Sequence, residues 1–168
     1  SGESTRVAFD RYCASISDFV MAAHTSGDGR IVLQKRLSPF DIDARSASAF
    51  GLILNELLTN APKYAFPGER PGLVVVSLAL EDGDIELRVE DNGIGLPAEF
   101  DLGTPRGLGL EMVKMLSRQM GGSVACMRGE RTVFSVRAAL HAVSGGLDGG
   151  GTAEKEEELK RLKETAET

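Results

Sequence analysis

Cysteine and histidine are scarce in this 168-residue chain: two cysteines, Cys13 and Cys126, and two histidines, His24 and His141. Neither cysteine sits in a metal-ligand spacing, which excludes a disulfide scaffold and a structural zinc site. Both read as reduced, buried thiols of a cytosolic protein. No apolar run approaches the ~20 residues of a membrane span, so no membrane contact is expected of these residues. Positive charge is not in excess: 25 acidic side chains face 19 basic ones, a formal net charge of −6. That excludes a sequence-independent nucleic-acid binder, which needs a basic face, and leaves room only for a local basic cluster around a small anion. There is no signal peptide and no methionine at residue 1. The expectation is a piece of a longer parent, which could itself be membrane-anchored.

What the chain does have is an ordinary globular composition, 42% hydrophobic and 26% charged, at a length that buries roughly two-thirds of its unfolded surface. Phe9, Tyr12, Cys13, Ile16, Phe19, Val20 and Ala23 recur at three- and four-residue intervals. They predict one apolar stripe on a helix over about 5–23. "IVLQKRL", 31–37, predicts a strand. A second helix is predicted from near Asp43 to about Ala65, with Phe50, Ile53, Leu54, Leu57, Leu58, Ala61 and Ala65 facing the core. "LVVVSLAL" (73–80) and "IELRVED" (85–91), joined by "EDGD", predict a hairpin. A glycine- and proline-rich loop spans 92–107, a third helix about 108–120, and two last strands about 123–128 and 132–140. This order predicts an α/β fold: a two-layer sandwich, its mixed and mostly antiparallel sheet packed on about three helices. Residues 1–143 form the domain. "SGGLDGGGT", 144–152, reads as a Gly-rich linker, and 153–168 as a charged C-terminal helix or disordered tail.

Three stretches could carry chemistry. On the second helix Glu56, Asn60, Lys63 and Tyr64 fall on one stripe. An amide oxygen and a carboxylate suit Mg²⁺, and a lysine suits a phosphate; the alternative is a merely solvated face. Pro62 interrupts this stripe, and a kink there is expected to keep Asn60 inward while shifting Lys63 and Tyr64. In "DNGIGLP", 91–97, Asn-Gly is a strong hairpin signal, but no strand follows Gly93. Gly93 and Gly95 would instead let a ligand approach the backbone, and Asp91 would accept from an exocyclic amine. In "RGLGLEM", 106–112, Gly107 and Gly109 open a helix whose N–H groups suit a phosphate, with Arg106 as a fixed cation. The alternative is a flexible loop before a helix. A dinucleotide fingerprint fits poorly, because the third glycine is missing and no strand precedes it.

The order and spacing of these stretches are more specific than any one of them. An asparagine helix, then Asp-x-Gly-x-Gly, then Gly-x-Gly at a helix start resembles the N, G1 and G2 boxes of the GHKL (Bergerat-type) ATPases. "NELLTNAPKYAFP", "DNGIGLP" and "GLGLEMVKMLSRQMGG" resemble the catalytic ATP-binding domain of bacterial sensor histidine kinases, in the wording of the HWE subclass. The resemblance covers about residues 8–140. It implies ATP and Mg²⁺ as ligands, with Asn60 on the metal, Lys63 on the phosphates and Tyr64 beside the nucleotide. It further implies that Asp91 holds the adenine amine, that Gly93 and Gly95 shape its pocket, and that Gly107 and Gly109 hinge a lid over the phosphates. Thr132 matches a position near the adenine-binding aspartate. Glu56 falls where related ATPases carry a general base, and here it would help organise the metal and its water.

The resemblance implies protein-histidine kinase activity in two-component signalling. The γ-phosphate would pass to a histidine on a separate dimerisation domain, with a response regulator downstream. Neither His24 nor His141 stands in the helical context of that acceptor. The lid is short, with 11 residues between Gly95 and Gly107, and Phe100 is the one candidate for a phenylalanine box. Two alternatives remain at this point: a degenerate nucleotide-binding module used for docking, or a protein-serine kinase of the anti-sigma type.

Overall fold

The computed structural model describes residues 4–104 and 107–141, so Arg106, the linker at 144–152 and the segment 153–168 lie outside the described residues. Strand β1 (Arg6–Ala8) runs straight into helix α1 (Phe9–His24), followed by β2 (Ile31–Leu37), β3 (Asp41–Asp43) and helix α2 (Ala44–Asn60). A π-helical turn (Ala61–Ala65) extends α2. Then come β4 (Gly72–Glu81), β5 (Asp84–Asp91), α3 (Leu108–Gln119), β6 (Ser123–Met127) and β7 (Thr132–Ala139).

The main sheet has the order β2-β4-β5-β7-β6. β2 pairs with β4 in parallel, and every other pair is antiparallel. Among the described residues three helices pack on one face of this mixed sheet, the two-layer α/β sandwich expected. The hairpin between β4 and β5 turns through Asp82 (φ 52°) and Gly83 (φ 83°), both left-handed as a tight primed turn requires. Burial alternates strictly along β5: Ile85, Leu87, Val89 and Asp91 face the helices. The stripe on α2 supplies the other half of the core, with Phe50, Ile53, Leu54 and Leu58 fully buried. Truncating any of these to alanine costs about 2–5 kcal/mol.

Two expectations need correction. The first helix begins at Phe9, not near residue 5, because the backbone of 6–8 pairs antiparallel with 41–43. Ala8 is extended (φ −65°, ψ 100°) and the Phe9 N–H donates to the Phe40 carbonyl at 2.9 Å. A three-residue strand has no readable period, and its partner lies 35 residues away. The second helix, expected as one run to Ala65, leaves α geometry after Asn60. Its start agrees: Asp43 caps it, accepting from the Ser46 N–H at 2.9 Å and the Ser46 hydroxyl at 2.6 Å.

Candidate functional site

The site grows from the irregular end of α2. Pro62 has no N–H to give to the Leu58 carbonyl, and the chain answers with a wider π turn over 61–65, the kind of bulge that clusters at functional sites. Glu56 and Asn60, one turn apart and before the irregularity, are half-buried. Lys63 and Tyr64, after it, are exposed, Tyr64 by 61%. The Lys63 ammonium lies 5.4 Å from the Tyr64 ring centroid. So the turn keeps the inner pair of the stripe and carries the outer pair to the rim.

The same turn meets the Asp-x-Gly-x-Gly loop. The Ile94 N–H donates to the Ala65 carbonyl at 2.9 Å. Gly93 presses so closely on Ala65 that a Cβ there would stand 2.3 Å from the Ala65 carbonyl oxygen. Only glycine fits this contact. Asn92 is not a hairpin residue: its side-chain oxygen accepts from the Leu73 N–H at 2.7 Å and its own N–H donates to the Leu73 carbonyl, clasping the end of β4.

Asp91 ends the core-facing row of β5, a carboxylate where the alternation calls for an apolar residue. It is 9% exposed. Its Oδ1 accepts from the Gly93 N–H at 2.9 Å, and among the described residues Oδ2 has no hydrogen-bond partner. Burial pushes its pKa up, more than the Gly93 N–H pulls it down. Thr132 stands directly opposite it on β7 and is equally buried.

The third piece is the start of α3. Gly107 precedes it at φ 106°, a conformation that side chains rarely adopt, and no side chain caps the helix. Its first N–H groups are therefore available to an anion. Gly109 faces α2: a Cβ there would come within 2.3 Å of Glu56 Oε2. Thus Glu56 and Asn60 on α2, Asp91 and Thr132 on the sheet, and the α3 N-terminus are linked through close contacts at Gly93 and Gly109. Arg106 lies outside the described residues.

The residues fit the ligands that the sequence pattern implies. The Glu56 carboxylate and Asn60 amide have no protein hydrogen-bond partner among the described residues. No cluster of three or more His, Cys, Asp or Glu accompanies them there. Such a sparse oxygen set suits Mg²⁺, which keeps waters and takes its remaining oxygens from phosphates. Asp91 offers an acceptor to an amine. A crevice of about 520 Å³ lies elsewhere, between α1 and α2, and shares none of these side chains.

Spacing did not single out Arg128 or Lys114. Arg128, in the β6–β7 hairpin, donates to the carbonyls of Pro97 (2.8 Å) and Phe100 (2.7 Å) in the glycine loop. Lys114 on α3 donates to the Gly103 carbonyl at 2.9 Å. Their partners are backbone groups far along the chain, for which a sequence carries no signal.

Residues 46–142 match the family described as histidine kinase-, DNA gyrase B-, and HSP90-like ATPases. The chain belongs to this ATPase family. Blue-light-activated histidine kinase 2 of Erythrobacter litoralis is 30% identical over 107 residues, covering 63% of this chain and 31% of that protein. An uncharacterized sensor-like histidine kinase of Rhizobium meliloti is 35% identical over 136 residues, covering 69% of this chain and 25% of that protein. The ATPase domain thus spans a third or less of the length of these curated relatives. Among solved structures, the histidine kinase domain of a blue-light-activated histidine kinase from Erythrobacter litoralis superposes with a TM-score of 0.80. It is 23% identical, covering 89% of this chain and 69% of that one, a likeness of fold.

Proposed function

We propose that this chain is the ATP-binding, phosphoryl-donating domain of a sensor histidine kinase of the HWE-like subclass, acting in the cytoplasm. The domain would extend over 1–143, with the Gly-rich linker and charged segment appended. The observation that carries the reading is the junction at Gly93 and Ala65. It sets a buried, half-satisfied carboxylate beside the end of an asparagine-bearing helix.

In this reading Asp91 Oδ2 accepts a hydrogen bond from the adenine amine, while the Gly93 N–H keeps Oδ1 fixed. Thr132 flanks the same spot, and Gly93 and Gly95 give the base room. Asn60, with Glu56 beside it, would hold Mg²⁺, which supplies charge neutralisation on the phosphates. Lys63 and Arg106 would add cations, and the uncapped α3 start at Gly107 and Gly109 would add N–H donors. Catalysis is then positioning plus electrostatics, and the histidine nucleophile comes from a separate dimerisation domain. A response regulator would receive the phosphate next.

The test mixes the chain, γ-labelled ATP and a phosphoacceptor (dimerisation) domain of a sensor histidine kinase. Label should appear on the partner as an acid-labile phosphohistidine, and the isolated chain should stay unlabelled. Label on the isolated chain would count against the proposal, and acid-stable label on a serine would favour the serine-kinase alternative. The exposed Lys63 and Tyr64 favour one other reading, a degenerate docking module. Absence of Mg·ATP binding at millimolar nucleotide would select it.

A further inference from the structure

Segment 96–100 of the loop that follows Asp91 is held from outside by Arg128. Arg128 sits in the β6–β7 hairpin, and all its hydrogen bonds go to backbone carbonyls of that loop. Nη1 donates to Pro97 at 2.8 Å and to Leu96 at 3.3 Å, and Nη2 donates to Phe100 at 2.7 Å. The guanidinium carbon lies 5.9 Å from the Phe100 ring centroid. That ring meets Phe134 edge-on, at 6.2 Å and 90°. Phe134 is two residues along β7 from Thr132, on the same face, opposite Val89 on β5. Cys126, two residues before Arg128, pairs with Phe134, which in turn pairs with Val89, two residues before Asp91.

A planar fork matches this task. Two amino groups at a fixed angle span carbonyls from three residues, and the guanidinium never loses its charge. A lysine offers one nitrogen and cannot bridge the same set. Because the acceptors are backbone groups, the clamp acts on the shape of segment 96–100 whatever its side chains.

From this geometry we infer that Arg128 is a positioning residue: it holds segment 96–100 as a preformed wall on the adenine side of the site. The inference rests on the nucleotide-binding reading above. Its effect is on affinity, since a wall already ordered loses less entropy when ligand arrives.

The experiment titrates the whole chain, as wild type, Arg128→Ala and Arg128→Lys, with Mg·ATP and Mg·GTP by calorimetry. It also follows amide hydrogen exchange of 94–100 without nucleotide. Arg128→Ala should bind ATP about tenfold more weakly, narrow the ATP preference over GTP, and exchange faster in 94–100 while the β5 amides stay protected. Arg128→Lys should fall between. A merely structural role would lower both nucleotides alike and loosen the sheet as well. Should Arg128→Ala fail to fold, Arg128→Lys decides, and wild-type affinity and exchange in it would overturn the assignment. Wild type that binds ATP with both variants equal to it would overturn the role of Arg128 alone. Wild type that binds no ATP would overturn the nucleotide reading and this inference with it.

Discussion

Replacing Asp91 by asparagine separates binding from folding. The two side chains have the same shape. Oδ1 of Asp91 is committed to the Gly93 N–H at 2.9 Å, so the amide oxygen of an asparagine would take that bond. The amide nitrogen would then stand where Oδ2 stood. A donor would face the adenine amine, itself a donor. Loss of a hydrogen bond to a charged acceptor costs about 1.5–3 kcal/mol, so Mg·ATP affinity should fall roughly 10- to 150-fold. Stability should move the other way. Burial holds the Asp91 pKa above its usual 3.8, so the folded chain binds this proton more tightly than the unfolded chain. The burden on the fold is absent below the usual carboxylate range and full once pH rises past the folded value. Asparagine carries no such burden, so at neutral pH the nucleotide-free variant should be at least as stable as wild type. Its stability should also vary less with pH across the acid range. Calorimetric titration and urea unfolding at acid and neutral pH read both effects. Affinity within about threefold of wild type, or a loss of more than about 1 kcal/mol in neutral stability, would rule out this role for the Asp91 carboxylate.

Gly93→Ala should destabilise the fold by about 2–4 kcal/mol in urea, because its Cβ would meet the Ala65 carbonyl, a backbone atom that cannot swing aside. Gly109→Ala meets only the flexible end of Glu56, so stability should change by less than about 1 kcal/mol while phosphotransfer falls as the carboxylate is pushed from the metal side. Pro62→Ala restores an N–H beside the Leu58 carbonyl. ATP affinity should stay within about threefold, since Asn60 precedes the irregular turn. Cys13 is buried and its pKa is pushed up to about 12, first by burial and then by Asp10. Iodoacetamide at neutral pH should leave it unmodified in the native chain and label it once urea unfolds the protein, as mass spectrometry would show.

Much of this site was legible because its parts obey local periods. Strand alternation alone puts Asp91 on the face of Ile85, Leu87 and Val89. Helical spacing alone puts Glu56 and Asn60 one turn apart. The β4–β5 hairpin followed from its turn, but the pairing of β2 with β4 and of β5 with β7 did not. What stayed hidden depends on partners distant in sequence. The strand at 6–8 exists only because 41–43 is there to pair with it. The π turn at Pro62 could be foreseen as an irregularity, but not as the surface on which Gly93 rests. A glycine announces that something comes close without saying what: at Gly93 it is the Ala65 backbone, at Gly109 the Glu56 carboxylate. Arg128 was invisible for the same reason, since backbone carbonyls leave no mark in a sequence.

In the proposed function Asp91 reads an adenine amine. Calorimetric titration of the chain with Mg·ATP and Mg·GTP tests it directly, because guanine carries a carbonyl acceptor where adenine carries its donor amine. ATP should bind saturably, and GTP at least about tenfold more weakly. Equal affinity for the two, or no ATP binding at millimolar concentration, would contradict it.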